Sequence, residues 1–203
     1  MTIMTMMSDE VKKAGEVLRK GGLLLYPTDT VWGVGCDACC EEAVRKIFAL
    51  KKRSDSKSLV LLASSLEQIS RYIEDIPPMA EQLIEVNDAP MTIVYPGAMK
   101  GEGPHAGEFI APSCIAADGS VGIRIPSASG FCMALLESFG RPIVSTSANI
   151  SGEKAPDSFS EIVSAIKDGV DFVVNPSFEA GSTGRCSQII KLGADGTINI
   201  IRA

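Results

Sequence analysis

The chain has 203 residues, 45% hydrophobic and 22% charged, with a formal net charge of −6. That length buries a real core, and mixed charge with plentiful apolar residues excludes a disordered polymer. The acidic balance argues against strong non-specific binding to nucleic acid or anionic membrane, and no apolar run approaches the roughly 20 residues that span a bilayer.

Residues 1–7 hold Met and Thr with no basic residue before an apolar core, so they read as a frayed leader and not as a signal peptide. A domain is expected over residues 8–203, as no composition break divides it. Ser8 is placed to cap a first helix, whose apolar face is Val11, Ala14, Val17 and Leu18 and which Gly21-Gly22 stops. Residues 23–26 form a short apolar run ended by Pro27, read as a buried strand. The spacing of Ala43, Val44, Ile47 and Phe48 predicts a helix over 41–50. A buried strand is expected over 59–63, helices over 65–73 and 78–86, and a strand over 92–95.

From 96 to 119 the chain is rich in Gly, Pro and Ala and reads as a long surface loop able to act as a lid. Strands over 121–125 and 143–145 enclose a helix over 129–139, and Ser158-x-x-Glu161 is a capping box for a helix reaching Lys167. Strands over 171–174, 187–191 and 197–201 close the chain, the last two as a hairpin through Asp195-Gly196. Alternating helices and strands that finish in strands predict an α/β fold with a mixed, twisted sheet flanked by helices.

Six cysteines (Cys36, Cys39, Cys40, Cys114, Cys132 and Cys186) and one histidine, His105, bound the chemistry. Cys36-x-x-Cys39-Cys40 has no second knuckle to complete a zinc site, so no metal site is expected and the cysteines read as reduced, as in a cytoplasmic protein. A single histidine in a Gly/Pro-rich stretch is a poor basis for a Ser-His-Asp or Cys-His mechanism.

Four segments have the composition of ligand-binding loops. Tyr26-Pro27-Thr28-Asp29-Thr30-Val31-Trp32-Gly33-Val34-Gly35 places two hydroxyls, a carboxylate and glycines just after a strand. It is either a tight turn whose Thr and Asp satisfy the backbone or a loop that meets a ligand. Lys51-Lys52-Arg53-Ser54-Asp55-Ser56-Lys57 puts four cations in a seven-residue segment after a helix. It is either a solvated run complementing the helix dipole or a phosphate clamp. In Val121-Gly122-Ile123-Arg124-Ile125-Pro126 an arginine flanked by strand residues needs an anion, either a structural carboxylate or a ligand. Ser145-Thr146-Ser147-Ala148-Asn149-Ile150-Ser151-Gly152 is either a plain Ser/Thr loop or the polar wall of a pocket.

Taken in order, Tyr-Pro-Thr-Asp-Thr-Val-Trp-Gly-Val-Gly, Lys-x-Arg-x-x-x-Lys, Gly-Ile-Arg-Ile-Pro and Ser-Thr-Ser-Ala-Asn-Ile-Ser-Gly resemble the YrdC-like family of threonylcarbamoyl-AMP synthases over about 8–203, in its short form. The resemblance implies a YrdC-like fold with a deep, positively lined cavity. It also implies synthesis of threonylcarbamoyl-adenylate and pyrophosphate from L-threonine, bicarbonate and ATP, with Mg2+ on the nucleotide. The product feeds tRNA N6-threonylcarbamoyladenosine through partner proteins that transfer the group, so at most weak RNA binding is expected of this chain.

By the same resemblance Thr30, Arg124, Ser147 and Ser187 bind L-threonine, and Lys51, Arg53, Lys57, Asn149 and Arg202 bind ATP. No residue is expected to act as a catalytic acid or base. The alternative is a relative that keeps the fold and holds nucleotide or double-stranded RNA without this activity. The chain departs from the family pattern at Trp32, where Tyr is usual, at Ser58 and Leu62, where Pro and often His stand, and at Gln188 and Lys191, in place of Thr and Asp.

Overall fold

A computed structural model describes residues 3–53, 59–99, 101, 109–127, 130–179 and 182–203. Among the described residues, helices α1 (Ile3–Arg19), α2 (Glu41–Lys51), α3 (Leu66–Ile69), α4 (Pro78–Val86), α5 (Phe131–Phe139) and α6 (Ser164–Lys167) are joined to nine strands. These are β1 (Leu24–Tyr26), β2 (Gly33–Asp37), β3 (Val60–Leu62), β4 (Met91–Tyr95), β5 (Val121–Arg124), β6 (Ile143–Ser147), β7 (Phe172–Val173), β8 (Gln188–Leu192) and β9 (Ile198–Arg202). They form one mixed sheet in the order β7-β1-β2-β6-β3-β5-β4-β8-β9. β1/β7, β3/β5 and β4/β8 pair in parallel and the other neighbours antiparallel. The expected α/β class is what the chain adopts.

Alternation along the strands sorts the core into two layers. Leu23 and Leu25 join the larger apolar cluster with Val44, Ile47 and Phe48 of α2 and with Leu61, Ile123 and Val144. Leu24, Tyr26 and Leu62 belong to the smaller cluster with Val11, Ala14 and Leu18 of α1 and Phe131, Leu135 and Leu136 of α5. On that second side α1 packs over β1 and β2 with α5 beside it, and Leu62, Arg124, Ser145 and Ser147 are among the residues around a cavity. Turn chemistry places the loops that matter: α2 ends through Lys52 in the left-handed region (φ 50°), with Arg53 N–H donating to Phe48 O.

Several expectations are corrected. α1 starts at Ile3, so Ser8 lies inside the helix and residues 3–7 are helical and not frayed. The glycine-rich stretch after Thr30 is a strand, β2. Its glycines serve the sheet: a Cβ on Gly35 would stand 2.4 Å from Val144 O and 2.7 Å from Tyr26 Cε1. The helix expected over 65–73 stops at Ile69. The Ser158–Glu161 capping box does not form. Glu161 instead accepts from Asp157 N, while Phe159 packs against Trp32 and Ile162 enters the core, so the segment splits into a 3-10 turn and α6. Within 96–119, Ile110, Ala111 and Cys114 are buried and Ala98 bridges to Ile73, so the described parts are not a plain surface loop. His105 lies outside the described residues.

Candidate functional site

The cavity, about 240 Å³, opens where the loop after β1, the ends of β5 and β6 and the segment before β8 converge. Thr28, Thr30, Arg53, Leu62, Arg124, Ser145, Ser147, Ser187 and Arg202 stand on its wall. Six of the nine residues expected to bind substrate are therefore brought together: Thr30, Arg53, Arg124, Ser147, Ser187 and Arg202.

Arg124, at the end of β5, is 4% exposed. Its Nη1 pairs with Asp29 Oδ1 at 2.6 Å and its Nη2 reaches Thr30 Oγ1 at 3.4 Å. The structural ion pair of the sequence alternatives is formed, and Arg124 also stands on the cavity wall. Thr30 is read in one direction. The Thr28 hydroxyl donates to Val31 O (2.7 Å), so the 2.9 Å contact between the two hydroxyls is donated by Thr30. Thr30 thus spends its proton inward and offers lone pairs to the cavity and to Arg124.

The Lys-x-Arg segment divides its labour. Lys51 continues the apolar stripe of Val44, Ile47 and Phe48, and is 1% exposed. Its ammonium donates to the carbonyls of Ser147 and Asn149 and to Asn149 Oδ1. Burial pushes its pKa down to about 8, with the charge of Arg53 adding to the effect. Lys51 thus tethers the loop after β6 and is not among the residues on the cavity wall. Asn149 is likewise engaged within the loop: its Oδ1 accepts from Ser147 Oγ at 2.6 Å and its Nδ2 donates to Glu153 O at 2.6 Å. Arg53, past the left-handed turn at Lys52, reaches the cavity. Lys57 lies outside the described residues.

On the opposite wall Arg202 of β9 donates through Nε and Nη2 to Ser187 O (2.9 and 2.6 Å), and Ser187 Oγ bonds Thr92 Oγ1 at 2.7 Å. A second cavity of about 540 Å³ adjoins through Leu59, Val60 and Ile189, with Val94, Ala117 and Ile201 on its wall and a Lys191–Asp118 ion pair at 2.5 Å. The Lys191 ammonium and the Ser120 bonds hold the Asp118 carboxyl well below the usual carboxylate range.

Residues the sequence reading left out are Asp29 and Thr28, which orient Arg124 and Thr30, and Ser145 and Cys186 on the wall. The signal for Asp29 is indirect: an arginine between apolar strand residues demands an anion, and the sequence does not say that the carboxylate after β1, separated from β5 by three strands, supplies it. Among the described residues no three His, Cys, Asp or Glu side chains gather where a metal would be held. Asp29 is committed to Arg124 and to the Ser127 N–H. The donors among the described residues of this wall do not by themselves make a metal site.

A family model named Sua5/YciO/YrdC and described as "Telomere recombination" matches residues 16–203. A protein of Hahella chejuensis named threonylcarbamoyl-AMP synthase is 35% identical over 161 residues, covering 79% of this chain and 83% of its own. One of the same name from Saccharophagus degradans is 40% identical over 141 residues, 70% of this chain and 69% of its own. P. abyssi Sua5 complexed with L-threonine superposes with a TM-score of 0.75 at 28% identity, over 90% of this chain and 50% of that one, so the chain spans about half of that protein. E. coli YciO shares the fold, with a TM-score of 0.74 at 24% identity over 95% of this chain and 87% of its own. The order of the motifs, the sheet they line and these relatives agree, and the chain belongs to the Sua5/YciO/YrdC family.

Proposed function

We propose that the chain is an L-threonylcarbamoyladenylate synthase, a nucleotidyltransferase that makes threonylcarbamoyl-AMP and pyrophosphate from L-threonine, bicarbonate and ATP. The observation that carries this reading is Arg124: a guanidinium 4% exposed, beside the acceptor face of Thr30, in a cavity also lined by Arg53 and Arg202. A buried guanidinium next to a hydrogen-bond acceptor suits an α-amino acid, with the carboxylate on the first and the amine on the second. The names of the relatives and the L-threonine complex of P. abyssi Sua5 support the same substrate.

In this reading the threonine amine forms an N–C bond to CO2 derived from bicarbonate and loses a proton. A carbamate oxygen then bonds to the α-phosphorus as the bond to pyrophosphate breaks. No strong protein base is required. Arg53, Arg202 and Lys57 offset the phosphate charge, and Ser147, oriented through Asn149 and Lys51, contributes to the polar wall. The adjoining apolar cavity takes the base against Val60, Val94 and Ile189. Mg2+ bound to the nucleotide would offset phosphate charge beside Arg53 and Arg202. Partner proteins in the cytoplasm pass the group to tRNA, where it becomes N6-threonylcarbamoyladenosine.

The test is ATP–pyrophosphate exchange. It should require both L-threonine and bicarbonate. A protein that only holds nucleotide or double-stranded RNA catalyses no exchange, and that result rejects the reading.

A further inference from the structure

We infer that Asp29 is a positioning residue that locks the Arg124 guanidinium in the orientation that receives the carboxylate of an amino acid. The functional half of this inference rests on the reading above.

Asp29 sits two residues after Pro27 on the loop that leaves β1, and its side chain is only 10% exposed. Both carboxylate oxygens are used. Oδ1 takes Nη1 of Arg124 at 2.6 Å, and Oδ2 accepts from the Ser127 N–H at 2.9 Å. Its backbone carbonyl accepts from Thr183 N at 2.9 Å, while Thr30 O takes Gly184 N at 2.8 Å. One residue therefore ties the loop after β1 to the end of β5 and to the segment that leads into β8. Thr30, Arg124 and Ser187, contributed by those three segments, meet on the cavity wall.

An arginine has five N–H donors in a rigid fork. Asp29 and Thr30 take one from each terminal nitrogen, which fixes the plane of the fork and leaves its other donors for a ligand. Without Asp29 the guanidinium would be a buried charge held only by a long bond to a hydroxyl. It would rotate, and the ligand carboxylate would have to meet the cost of ordering it. Asp29 itself does not line this cavity among the described residues, so it acts through Arg124.

The experiment compares the full-length parent with Asp29→Asn and Asp29→Glu. The first readout is the side-chain ¹⁵N–¹H spectrum, with the Arg124 signals assigned by their loss in Arg124→Lys. The parent should show resolved Nη–H signals of a guanidinium in restricted rotation, Asp29→Asn should lose them, and backbone spectra should show all variants folded. The second readout is pyrophosphate release. For Asp29→Asn the KM for L-threonine should rise roughly 10- to 150-fold, as for loss of a charge-assisted hydrogen bond, with KM for ATP and kcat changed by about twofold or less. Asp29→Glu, which keeps the charge, should recover part of the threonine affinity.

Unrestricted Arg124 signals in the parent overturn the inference, as does an equal loss toward threonine and ATP, or unchanged threonine KM in Asp29→Asn. Should Asp29→Asn fail to fold, the test passes to folded Asp29→Glu: loss of the restricted Arg124 signals with an unchanged threonine KM also overturns it. A parent with locked Arg124 signals but no threonine-dependent pyrophosphate release rejects the proposed function and leaves the lock standing.

Discussion

Lys51 and Asn149 are joined twice: the lysine ammonium donates to the asparagine backbone carbonyl at 2.6 Å and to its Oδ1 at 3.3 Å. With the carbonyl of Ser147 as third acceptor, all three ammonium protons are spent on one loop. A lysine on the buried stripe of α2 thus sets the position of the Ser147 and Asn149 side chains, and it does so only while charged.

That dependence predicts opposite effects of pH on stability and activity. Burial lowers the Lys51 pKa from 10.5 to about 8. Below pH about 8 both folded and unfolded chains hold the proton, and the folded one bears the desolvation cost in full. Between about 8 and 10.5 the folded chain releases a proton that the unfolded chain keeps, so this group makes stability rise with pH. A neutral amine has two protons for three oxygens, so the loop loses a tether and activity falls through the same window. Lys51→Met should show low activity without a titration near pH 8 and should lack the stability gain. Denaturant unfolding and kcat/KM across the window check this. A parent whose stability slope matches that of Lys51→Met rejects it.

Arg53 leaves the helix one residue after the left-handed Lys52 and faces the cavity. Arg53→Ala should raise KM for ATP roughly 10- to 150-fold, the worth of one charged hydrogen bond to phosphate. Thermal unfolding should change little, as for most substitutions outside a core. ATP binding equal to the parent's, measured by titration calorimetry, would remove Arg53 from the phosphate site.

The cysteines separate by exposure. Burial pushes the Cys39 and Cys132 thiols up to about 12, whereas Cys186 is exposed and lies on the cavity wall beside Ser187. A thiol reagent acts on thiolate, so Cys186 should react first and activity should fall in step with its labelling. ATP with threonine should slow both, and Cys186→Ser should stay active and resist. Chelator-free protein should carry no stoichiometric zinc on Cys36, Cys39 and Cys40. About one zinc per chain, or full activity after Cys186 is labelled, contradicts this.

Periodicity alone located α2, α4, α5 and most strands, because each buries a stripe or alternation that water would penalise if it faced outward. It missed β2, since Gly33 and Gly35 look like loop residues until the Ser145 hydroxyl and Val144 carbonyl of β6 are seen against them. It took a local capping box for a long helix, although the contact of Phe159 with Trp32 outweighs the cap. Motif order brought six cavity residues together, yet charge density alone did not tell Lys51 from Arg53. Helical phase does: 44, 47, 48 and 51 fall on one buried face, and Arg53 lies beyond the helix end. Asp29 was overlooked because its role is relational, visible only once Arg124 stands 2.6 Å away.

Amino-acid selectivity turns on Leu62. It is fully buried with Tyr26 and Phe131 and adjoins the cavity that Thr30 and Arg124 line. With leucine in place of the histidine that the resemblance implies, this position is apolar and offers no partner for a substrate hydroxyl. One methyl group in an apolar pocket is worth about 1–3 kcal/mol, so threonine should still be preferred to serine through that contact and the grip of Arg124. Valine, which keeps the shape and lacks the hydroxyl, should be rejected less strongly than by a wall that hydrogen-bonds the hydroxyl, because only such a wall is left with an unpaired buried group. Leu62→His should therefore sharpen discrimination against valine, while Leu62→Ala, which opens the wall, should weaken the preference for threonine over serine. The measurement is pyrophosphate release with ATP and bicarbonate for threonine, serine and valine, on variants shown by thermal unfolding to be folded. Serine outperforming threonine in the parent would sink the threonine assignment, and unchanged valine discrimination in a folded Leu62→His would show that this position does not touch the substrate.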